Sequence, residues 1–397
     1  MKILDLKATI VTVPFEAPLR WSMGIETGTT RALIELHTEE GIVGLGETYG
    51  TPETERALDV AKSVLIGVDP FEVGVVQHRL GVFRVGYETT VPATLRAGIE
   101  MACLDAAGKA VGRPVHSLLG GAVRDRVEVA AYLFYRHALD GRGGEASPEA
   151  IVERTEALVE RYGFRVIKLK GGVFSPEEEL QAIKQLQARF PAAPLRWDPN
   201  AAWSVPTSLR VVESLRAEGL NLEYLEDPAP ELEGMAQVRA RTAVPLATNM
   251  CLVNYEQLAP GIRLGSVDII LSDVHFWGGF RTNQKMMAVC EAFGLAVGMH
   301  SDRELGVSTA AMVHLAAASP QLAYAIDSHY PDQVGDVLTA PIEIRDGHIE
   351  VPQAPGLGVE LDPDEVERYH RLYLESGAVN EFYDQQRPGW VPAIPIF

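Results

Sequence analysis

Three oxygen-bearing side chains recur along this chain at nearly even steps, each at the end of a short apolar run. They are Asp198 in LRWDPN, Glu226 in LEYLEDP and Asn249 in VPLATNM, separated by 28 and 23 residues. A strand and its return helix in a β/α barrel take about 25–30 residues, so the three are predicted to meet at one barrel mouth. Hard cations such as Mg²⁺ take oxygen ligands of this kind. The alternative is three unrelated turn residues, because Asp-Pro and Asn are ordinary turn signals.

Other residues with chemically active side chains recur at nearly the same spacing along the sequence. Lys170 lies 28 residues before Asp198, and Asp273, His300 and Asp327 follow downstream at steps of 24, 27 and 27. Because an acid ends the strand before His300, we expect Asp273 to hold the imidazole tautomer and to raise its proton affinity. The alternative for His300 is a packed or capping residue.

Two lysines share one predicted strand, RVIKLKGG. Residues two apart in a strand lie on the same face, so Lys168 and Lys170 point the same way. Adjacent ammonium groups repel and burial opposes their charge, which predicts a lowered pKa for each and an amine available as a base. The alternative, a pair of surface lysines on an edge strand, is disfavoured by the apolar flanking residues.

Composition and charge indicate a metabolic enzyme. The 397 residues carry a net charge of −19, which argues against a nucleic-acid partner. The opening MKILDLKATIVTV is typical of a strand and has no signal-type apolar run, and no stretch has the length needed to cross a membrane. Three cysteines without metal-ligand spacing fit a reducing compartment. We therefore expect a cytoplasmic location, without membrane contact.

The chain divides into three parts. Residues 1–125 place strand-like runs before helices, which predicts a small α+β domain. Residues 126–330 alternate strand and helix from VEVAAYLFY onward, which predicts an α/β fold with a closed parallel barrel. Residues 331–397 are expected to fold back onto the first part, with a hairpin turn at Asp346-Gly347 and a helix near 364–376.

Taken together, these motifs resemble those of the enolase superfamily, and within it the glucarate dehydratase group of the mandelate racemase and muconate lactonizing enzyme type. The resemblance covers essentially the whole chain. It is carried by YLFY at 132–135, KLK at 168–170, DPNAAW at 198–203, YLEDP at 224–228, PLATNM at 245–250, SDVHFW at 272–277, FGLAVGMHSD at 293–302 and AIDSH at 325–329. An Asn at the third metal position, here Asn249, is typical of that group. The resemblance implies a modified TIM barrel of the (β/α)7β kind, with an α+β capping domain at 1–125 completed by 331–397.

The resemblance also implies catalytic roles. Asp198, Glu226 and Asn249 would hold Mg²⁺. Lys170 would be the base on one face of the substrate, and His300, paired with Asp273, the acid or base on the other. Lys168 would stabilise the negative charge that develops when a proton next to a carboxylate is removed.

Five further residues are expected to contact substrate: Tyr132, Asn200, Ser301, Asp302 and His329. Tyr132 has the alternative of a core aromatic residue, and His329 that of a structural hydrogen bond. The resembling group carries Asn where this chain has Asp302.

Two departures concern specificity. The group's N-terminal loop carries a His, whereas PLRWSMGIETGTTR offers Arg20, Trp21 and Thr30. The group also ends with an Arg that grips the far carboxylate of a diacid, whereas RPGWVPAIPIF has Arg387 and Trp390 but no final Arg. Arg387, Arg20 or Arg31 would have to substitute. We therefore expect a monoacid or a shorter diacid to rival glucarate.

These inferences predict a Mg²⁺-dependent acid-sugar dehydratase that forms a 2-keto-3-deoxy acid. A racemase or epimerase using the same ene-diolate is the close alternative, because bases flank both faces. A non-catalytic protein that binds metal and sugar acid is an alternative of another class, although such a protein has no need of bases. By resemblance we expect a homo-oligomer.

Overall fold

The structure is a computed structural model that describes residues 1–81, 91–379, 382, 384, 386–391 and 393–397. Its first part is a sheet of long antiparallel strands covered by helices, as the order of the sequence patterns predicts. The strands are β1 (Ile3–Trp21), β2 (Gly24–Thr38) and β3 (Val43–Tyr49), followed by helices α1 (Pro52–Leu65), α2 (Val73–Leu80), α3 (Ala93–Val111) and α4 (Val115–Leu118). Helix α3 is buried along most of its length, and its Gly98 approaches the backbone of Glu47 so closely that a Cβ would lie 2.7 Å from that carbonyl oxygen.

The run VEVAAYLFY does not form the single strand that its pattern predicts. It divides into β4 (Arg126–Glu128), β5 (Ala131–Leu133) and β6 (Tyr135–Arg136). Each joins a different sheet: β5 enters the barrel, β6 pairs with β1, and β4 pairs with a strand from the last part of the chain. The pattern of apolar residues marks extended backbone but cannot show which partner each segment finds.

The central part is a parallel sheet of seven strands, which confirms the predicted barrel. After β5 these are β7 (Ile167–Lys170), β8 (Leu195–Asp198), β9 (Tyr224–Glu226), β10 (Leu246–Thr248), β11 (Ile269–Ser272) and β12 (Ala296–Met299), and they pair in sequence order. Strand residues are buried almost throughout, as expected for a sheet with side chains filling its interior and helices outside.

Residues 322–327 close the barrel between β12 and β5. On one side Asp327 N donates to Met299 O at 3.1 Å, and on the other Ala130 N donates to Ile326 O at 2.9 Å. Parallel bridges Val297–Leu322 and Val129–Ile326 continue the pairing. This segment takes the place of the eighth strand and brings Asp327 to the same end of the barrel as the residues that follow the other strands.

Helices alternate with the barrel strands, as predicted for residues 126–330, and form the outer layer. They are α5 (Pro148–Tyr162), α6 (Pro176–Arg189), α7 (Val205–Ala217), α8 (Glu231–Arg239), α9 (Tyr255–Leu264), α10 (Phe280–Phe293) and α11 (Gly306–Ala318). Ser147, Ser175 and Ser204 cap three of them, each before a helix with Pro in its first turn, as N-terminal signals require. Among the described residues, no helix has the length and apolar character to cross a membrane.

The last part of the chain returns to the first sheet, as predicted. Arg345 and His348 exchange backbone hydrogen bonds at 2.9 Å around the Asp346-Gly347 turn, but β13 (His348–Glu350) then pairs with β4 instead of extending the hairpin. Helix α12 (Pro363–Ser376) packs on β1, where His370 Nδ1 lies 2.7 Å from Ile10 O.

A buried carboxylate organises the loop that follows β7. Glu179 is fully buried and accepts hydrogen bonds from the backbone N–H groups of Gly172, Val173 and Phe174 at 2.9–3.0 Å and from Trp197 Nε1 at 3.2 Å. The loop therefore has a defined path directly after Lys170.

We predict that Glu179→Ala lowers the free energy of unfolding by about 3 kcal/mol or more, because it leaves buried N–H groups without acceptors. Glu177→Ala, an exposed position in the same helical turn, is the matched control and is expected to stay within about 0.5 kcal/mol of the unchanged chain. Thermal melting followed by circular dichroism checks both variants. Equal melting temperatures for the two would contradict this account of Glu179.

Candidate active site

The side chains singled out by their spacing do converge at one end of the barrel. Each lies on the last residues of a strand or directly after it, and each is buried: Lys168, Lys170, Asp198, Glu226, Asn249, Asp273, His300 and Asp327. Parallel strands end at the same edge of the barrel, and in barrels of this type that edge carries the chemistry.

Lys168 sits among three acids. Its Nζ lies 2.6 Å from Glu226 Oε2, 2.6 Å from Asp327 Oδ2 and 3.7 Å from Asp198 Oδ2. Burial opposes its charge, but the carboxylates of Asp327 and Glu226 outweigh burial and hold the pKa of Lys168 well above its usual value. The predicted lowering of the pKa is therefore wrong for Lys168, because acids from other strands outweigh repulsion by the neighbouring lysine.

Lys170 reaches into the open part of the site. Its Nζ donates to Asp198 Oδ2 at 2.6 Å and to Asn200 Oδ1 at 2.5 Å. Asn200 has a left-handed backbone (φ 52°) and is held in place by Ser22, whose hydroxyl donates to Asn200 O and accepts from Asn200 Nδ2. The first domain thus helps to orient the ammonium group through Asn200.

His300 and Asp273 form the predicted pair, with Nδ1 and Oδ2 3.0 Å apart. The other oxygen of Asp273 accepts from the backbone N–H groups of His275 and Phe276 at 2.6 and 2.8 Å, so the carboxylate cannot rotate freely. Burial lowers the pKa of His300, but the hydrogen bond and the charge of Asp273 outweigh it, and the pKa is raised. This direction agrees with the expectation from the sequence.

Asp198, Glu226 and Asn249 form an oxygen-rich set that fits a divalent cation. Burial and the charge of Asp198 raise the pKa of Glu226 to about 8, and its Oε2 contacts the Lys168 ammonium without a well-directed hydrogen bond. A buried carboxylate that ionises with such difficulty gains most from a further positive charge. Among the described residues no three His, Cys, Asp or Glu side chains form a metal cluster. The set proposed here has two carboxylates and an amide, all oxygen donors suited to Mg²⁺.

The site opens into a cavity of about 370 Å³. Lys170, Asn249 and His300 line it together, and so do the predicted substrate residues Tyr132, Asn200, Ser301, Asp302 and His329. Glu26 and Arg303 also line it, and the rest of the wall is apolar and is made by Trp21, Met23, Phe134, Met250, Val253 and Phe276. The cavity is therefore polar at the barrel end and apolar around its outer part.

Several of the predicted substrate residues already have partners in the protein. Ser301 Oγ donates to Glu304 Oε2 at 2.6 Å and lies 3.0 Å from His329 Nδ1. The carboxylate of Asp302 accepts from Tyr49 OH and from Arg303. Ser301 and Asp302 are thus tied into the loop after β12, and their contact with substrate stays a prediction.

Tyr132 and His329 keep their rings in the cavity wall. The Tyr132 ring lies 4.5 Å from Lys168 Nζ, and its centroid lies 4.9 Å from that of His329. Tyr132 also belongs to a buried hydrophobic cluster with Phe15, Leu19 and Phe134, as the core-aromatic alternative expects, and its contact with substrate stays a prediction.

The three arginines considered as partners for a second substrate carboxylate have other partners in the protein. Arg31 is buried between Glu47, at 2.9 Å, and His275, at 2.6 Å. Arg20 lies over the Phe174 ring, and Arg387 pairs with Asp384 and stacks on Trp390. None of the three lines the cavity.

Two neighbouring residues were not anticipated. Arg303 lines the cavity with a left-handed backbone (φ 63°) and lies 2.8 Å from Asp302 and 3.7 Å from Glu26. Asp227 directly follows Glu226 and contacts Asn249. No spacing or motif marks Arg303, whereas the position of Asp227 beside a ligand candidate was a usable signal.

From the first domain, Thr30 binds the backbone of Val379 and not the cavity.

The sequence matches two family descriptions that together span most of its length. Residues 5–120 match the mandelate racemase / muconate lactonizing enzyme N-terminal domain, and residues 150–366 match the enolase C-terminal domain-like family. A probable glucarate dehydratase of Streptomyces coelicolor is 42% identical, with 96% of this chain and 95% of that protein covered. A D-xylonate dehydratase of Haloferax volcanii is 28% identical, with 85% and 84% covered.

A solved structure gives the same result for the fold. An enolase from Gibberella zeae PH-1, complexed with magnesium, formate and sulfate, superimposes with a TM-score of 0.92 at 39% identity, covering 100% of this chain and 97% of that chain. The order of motifs, the closed barrel and these matches agree, and the chain belongs to the enolase superfamily.

Proposed function

We propose that the protein is a Mg²⁺-dependent acid-sugar dehydratase. The observation that carries the proposal is the placement of Lys170 and the Asp273–His300 pair around one cavity, next to two carboxylates and an amide that suit a cation. Its relatives named glucarate dehydratase and D-xylonate dehydratase support this reaction class. The relative solved with magnesium supports the choice of ion.

Asp198, Glu226 and Asn249 would hold the cation. When bound, it offsets the charge that accumulates on a substrate carboxylate as the neighbouring proton leaves. Lys168 would serve the same need from the protein: its raised pKa keeps it an ammonium, and the carboxylates of Glu226 and Asp327 hold it beside Asp198.

Lys170 is the proposed base and His300 the proposed acid. Lys170 Nζ, in its neutral form, takes the proton from the carbon next to the substrate carboxylate. The pair of electrons left behind forms a carbon–carbon double bond as the β-hydroxyl departs, and the proton from the His300 imidazolium completes a water molecule. The resulting enol takes up a proton at C3 and becomes a 2-keto-3-deoxy acid. Asp273 stabilises the imidazolium before this transfer.

An epimerase is the second candidate, because proton acceptors lie on two strands of the same cavity. Return of a proton by His300 to the opposite face of the carbon would invert C2 without loss of water. Deuterium appearing in recovered substrate, without keto acid, would favour this reaction.

For the substrate, we propose a monoacid sugar or a diacid shorter than glucarate. The arginines that could bind a second carboxylate pair with acids or aromatic rings outside the cavity. Arg303 does line it, but Asp302 and Glu26 flank its guanidinium at 2.8 and 3.7 Å. A distant carboxylate would approach two negative charges there, whereas hydroxyl groups could donate to those same carboxylates.

We predict that Lys170→Met reduces keto-acid formation about 100-fold or more, because general-base catalysis is lost. Lys184→Met is the control: this lysine lies on α6 and pairs with Glu218 away from the cavity, so its activity should match the unchanged chain. Circular dichroism shows whether each variant is folded. Retention of more than a tenth of the activity in folded Lys170→Met would exclude Lys170 as the base.

Removal of divalent ions by a chelator should abolish turnover, and Mg²⁺ should restore it. Glu226→Gln is expected to weaken Mg²⁺ binding measured by calorimetry, because it removes a buried ligand charge. Glu213→Gln, exposed on α7, is the matched control. Turnover that persists in chelator would refute metal dependence.

A screen of mono- and diacid sugars, read as keto-acid formation, tests the substrate proposal. We expect the highest kcat/KM for a monoacid or a short diacid. An efficient and clear preference for glucarate would contradict the role given to Asp302 and Glu26.

A further inference from the structure

The first sheet contains a buried ion pair that the proposed reaction does not use. Arg31 on β2 and Glu47 on β3 are each exposed by 1% or less, and Arg31 Nε lies 2.9 Å from Glu47 Oε1. Neither is among the described residues that line the cavity. Replacing a buried ion pair by apolar side chains of similar size is often neutral or stabilising, so stability alone does not account for it. The remaining donors and acceptors of the pair bind two loops of the barrel.

Arg31 reaches the loop after β11. Its Nη2 lies 2.6 Å from His275 Nε2, and because a guanidinium can only donate, this ring nitrogen accepts. Burial and the charge of Arg31 lower the pKa of His275 to about 3, so the ring stays neutral. The backbone N–H of His275 in turn donates to Asp273 Oδ1 at 2.6 Å. Arg31 thus holds the residue that orients the carboxylate partner of His300.

Glu47 reaches the loop after β12. Its Oε1 accepts from the backbone N–H of Leu305 and its Oε2 accepts from that of Ser308, both at 2.9 Å. These donors lie at the start of α11, where backbone N–H groups have no partner within the helix and where a carboxylate is favourable. Residues 300–305 connect β12 to α11, so Glu47 fixes the far end of the loop that begins with His300.

Aromatic rings make a third contact between the same part of the first sheet and the acid. Phe276, whose backbone N–H also donates to Asp273, stacks on Tyr49 and on His300. The ring centroids lie 6.3 and 5.9 Å from that of Phe276, with interplanar angles of 4° and 19°. The Arg31 guanidinium lies 4.5 Å from the centroid of the Tyr49 ring. The arginine therefore contacts both the hydrogen-bonded and the stacked support of the imidazole.

We propose that the Arg31–Glu47 ion pair positions the His300 imidazole for proton delivery. The pair ties the loops after β11 and β12, which carry Asp273 and His300, to one point of the first domain. This inference rests on the proposed function, in which His300 is the acid. Lys170, the base, lies on β7 and has other partners. Loss of the ion pair should therefore impair departure of the β-hydroxyl and spare proton removal by Lys170.

The two proton transfers can be measured separately in heavy water. Arg31→Met removes the bond to His275, and His275→Leu removes it while leaving the ion pair in place. For both we expect kcat for keto-acid formation to fall about 10-fold or more with KM little changed, because a small displacement of a catalytic group is enough for such a loss. The ratio of deuterium exchange at C2 of recovered substrate to keto-acid formation should rise, because Lys170 still removes that proton.

Two further variants show whether positioning is the cause. His275→Gln offers an acceptor oxygen to Arg31, and we expect a higher kcat than for His275→Leu. Asp105→Asn is the matched control: Asp105 is a buried acid of the same domain that pairs with Lys109 and accepts from the backbone N–H of Leu45. It should lower the melting temperature and leave the ratio of exchange to keto-acid formation unchanged. Circular dichroism shows whether each variant is folded.

The imidazole signals of His300 give a readout that does not depend on turnover. In protein labelled with nitrogen-15 at histidine, the nuclear magnetic resonance signals missing from His300→Gln identify this ring. Their chemical shifts report the hydrogen bond between Nδ1 and Asp273. We expect Arg31→Met to shift them and Asp105→Asn to leave them in place.

The proposal is overturned if folded Arg31→Met and His275→Leu keep the exchange ratio of the unchanged chain, or if the His300 signals do not shift in Arg31→Met. A shift in Asp105→Asn as large as in Arg31→Met would equally count against it. If the unchanged chain neither forms keto acid nor exchanges deuterium with any acid sugar, the proposed function fails. The resonance comparison would still decide whether the ion pair positions His300.

Discussion

One buried ammonium group holds the mouth of the barrel together. Lys168 Nζ contacts acids from β8, from β9 and from the closing segment 322–327, and all of these side chains are fully buried. Losing one partner of such a buried ionic group usually costs about 3–5 kcal/mol, because it leaves charge without compensation. The relative positions of Asp198, Glu226 and Asp327 therefore depend on a lysine for which we also propose a role in stabilising charge on the substrate.

Three residues in the loops after barrel strands have a left-handed backbone. Asn200, Asp227 and Arg303 each follow a strand end with a positive φ. In each case a hydrogen bond fixes the side chain: Ser22 accepts from Asn200, Asp227 accepts from Thr248, and Asp302 accepts from Arg303. Non-glycine residues keep a left-handed backbone only where the surrounding structure holds them in it. Such residues cluster at functional sites.

Spacing along the sequence was enough to predict which side chains meet, because a β/α unit has a nearly constant length and the ends of parallel strands face one mouth. It was not enough for their charge states. The pKa of Lys168 depends on Glu226 and Asp327, which are distant in sequence, while only the neighbouring lysine was visible locally. Arg31 illustrates the same limit: it was one candidate to replace the missing final Arg, but Glu47 and His275 enclose it.

The division of residues 126–136 among three sheets limits how the molecule can move. Strand β5 in the barrel and β6 in the first sheet are separated only by Phe134, and both Phe134 and Tyr132 line the cavity. A rigid rotation of the first sheet away from the barrel would pull directly on this short link and distort the cavity wall. Trp21 and Met23, which also line the cavity, lie at the turn between β1 and β2 and are not part of this link.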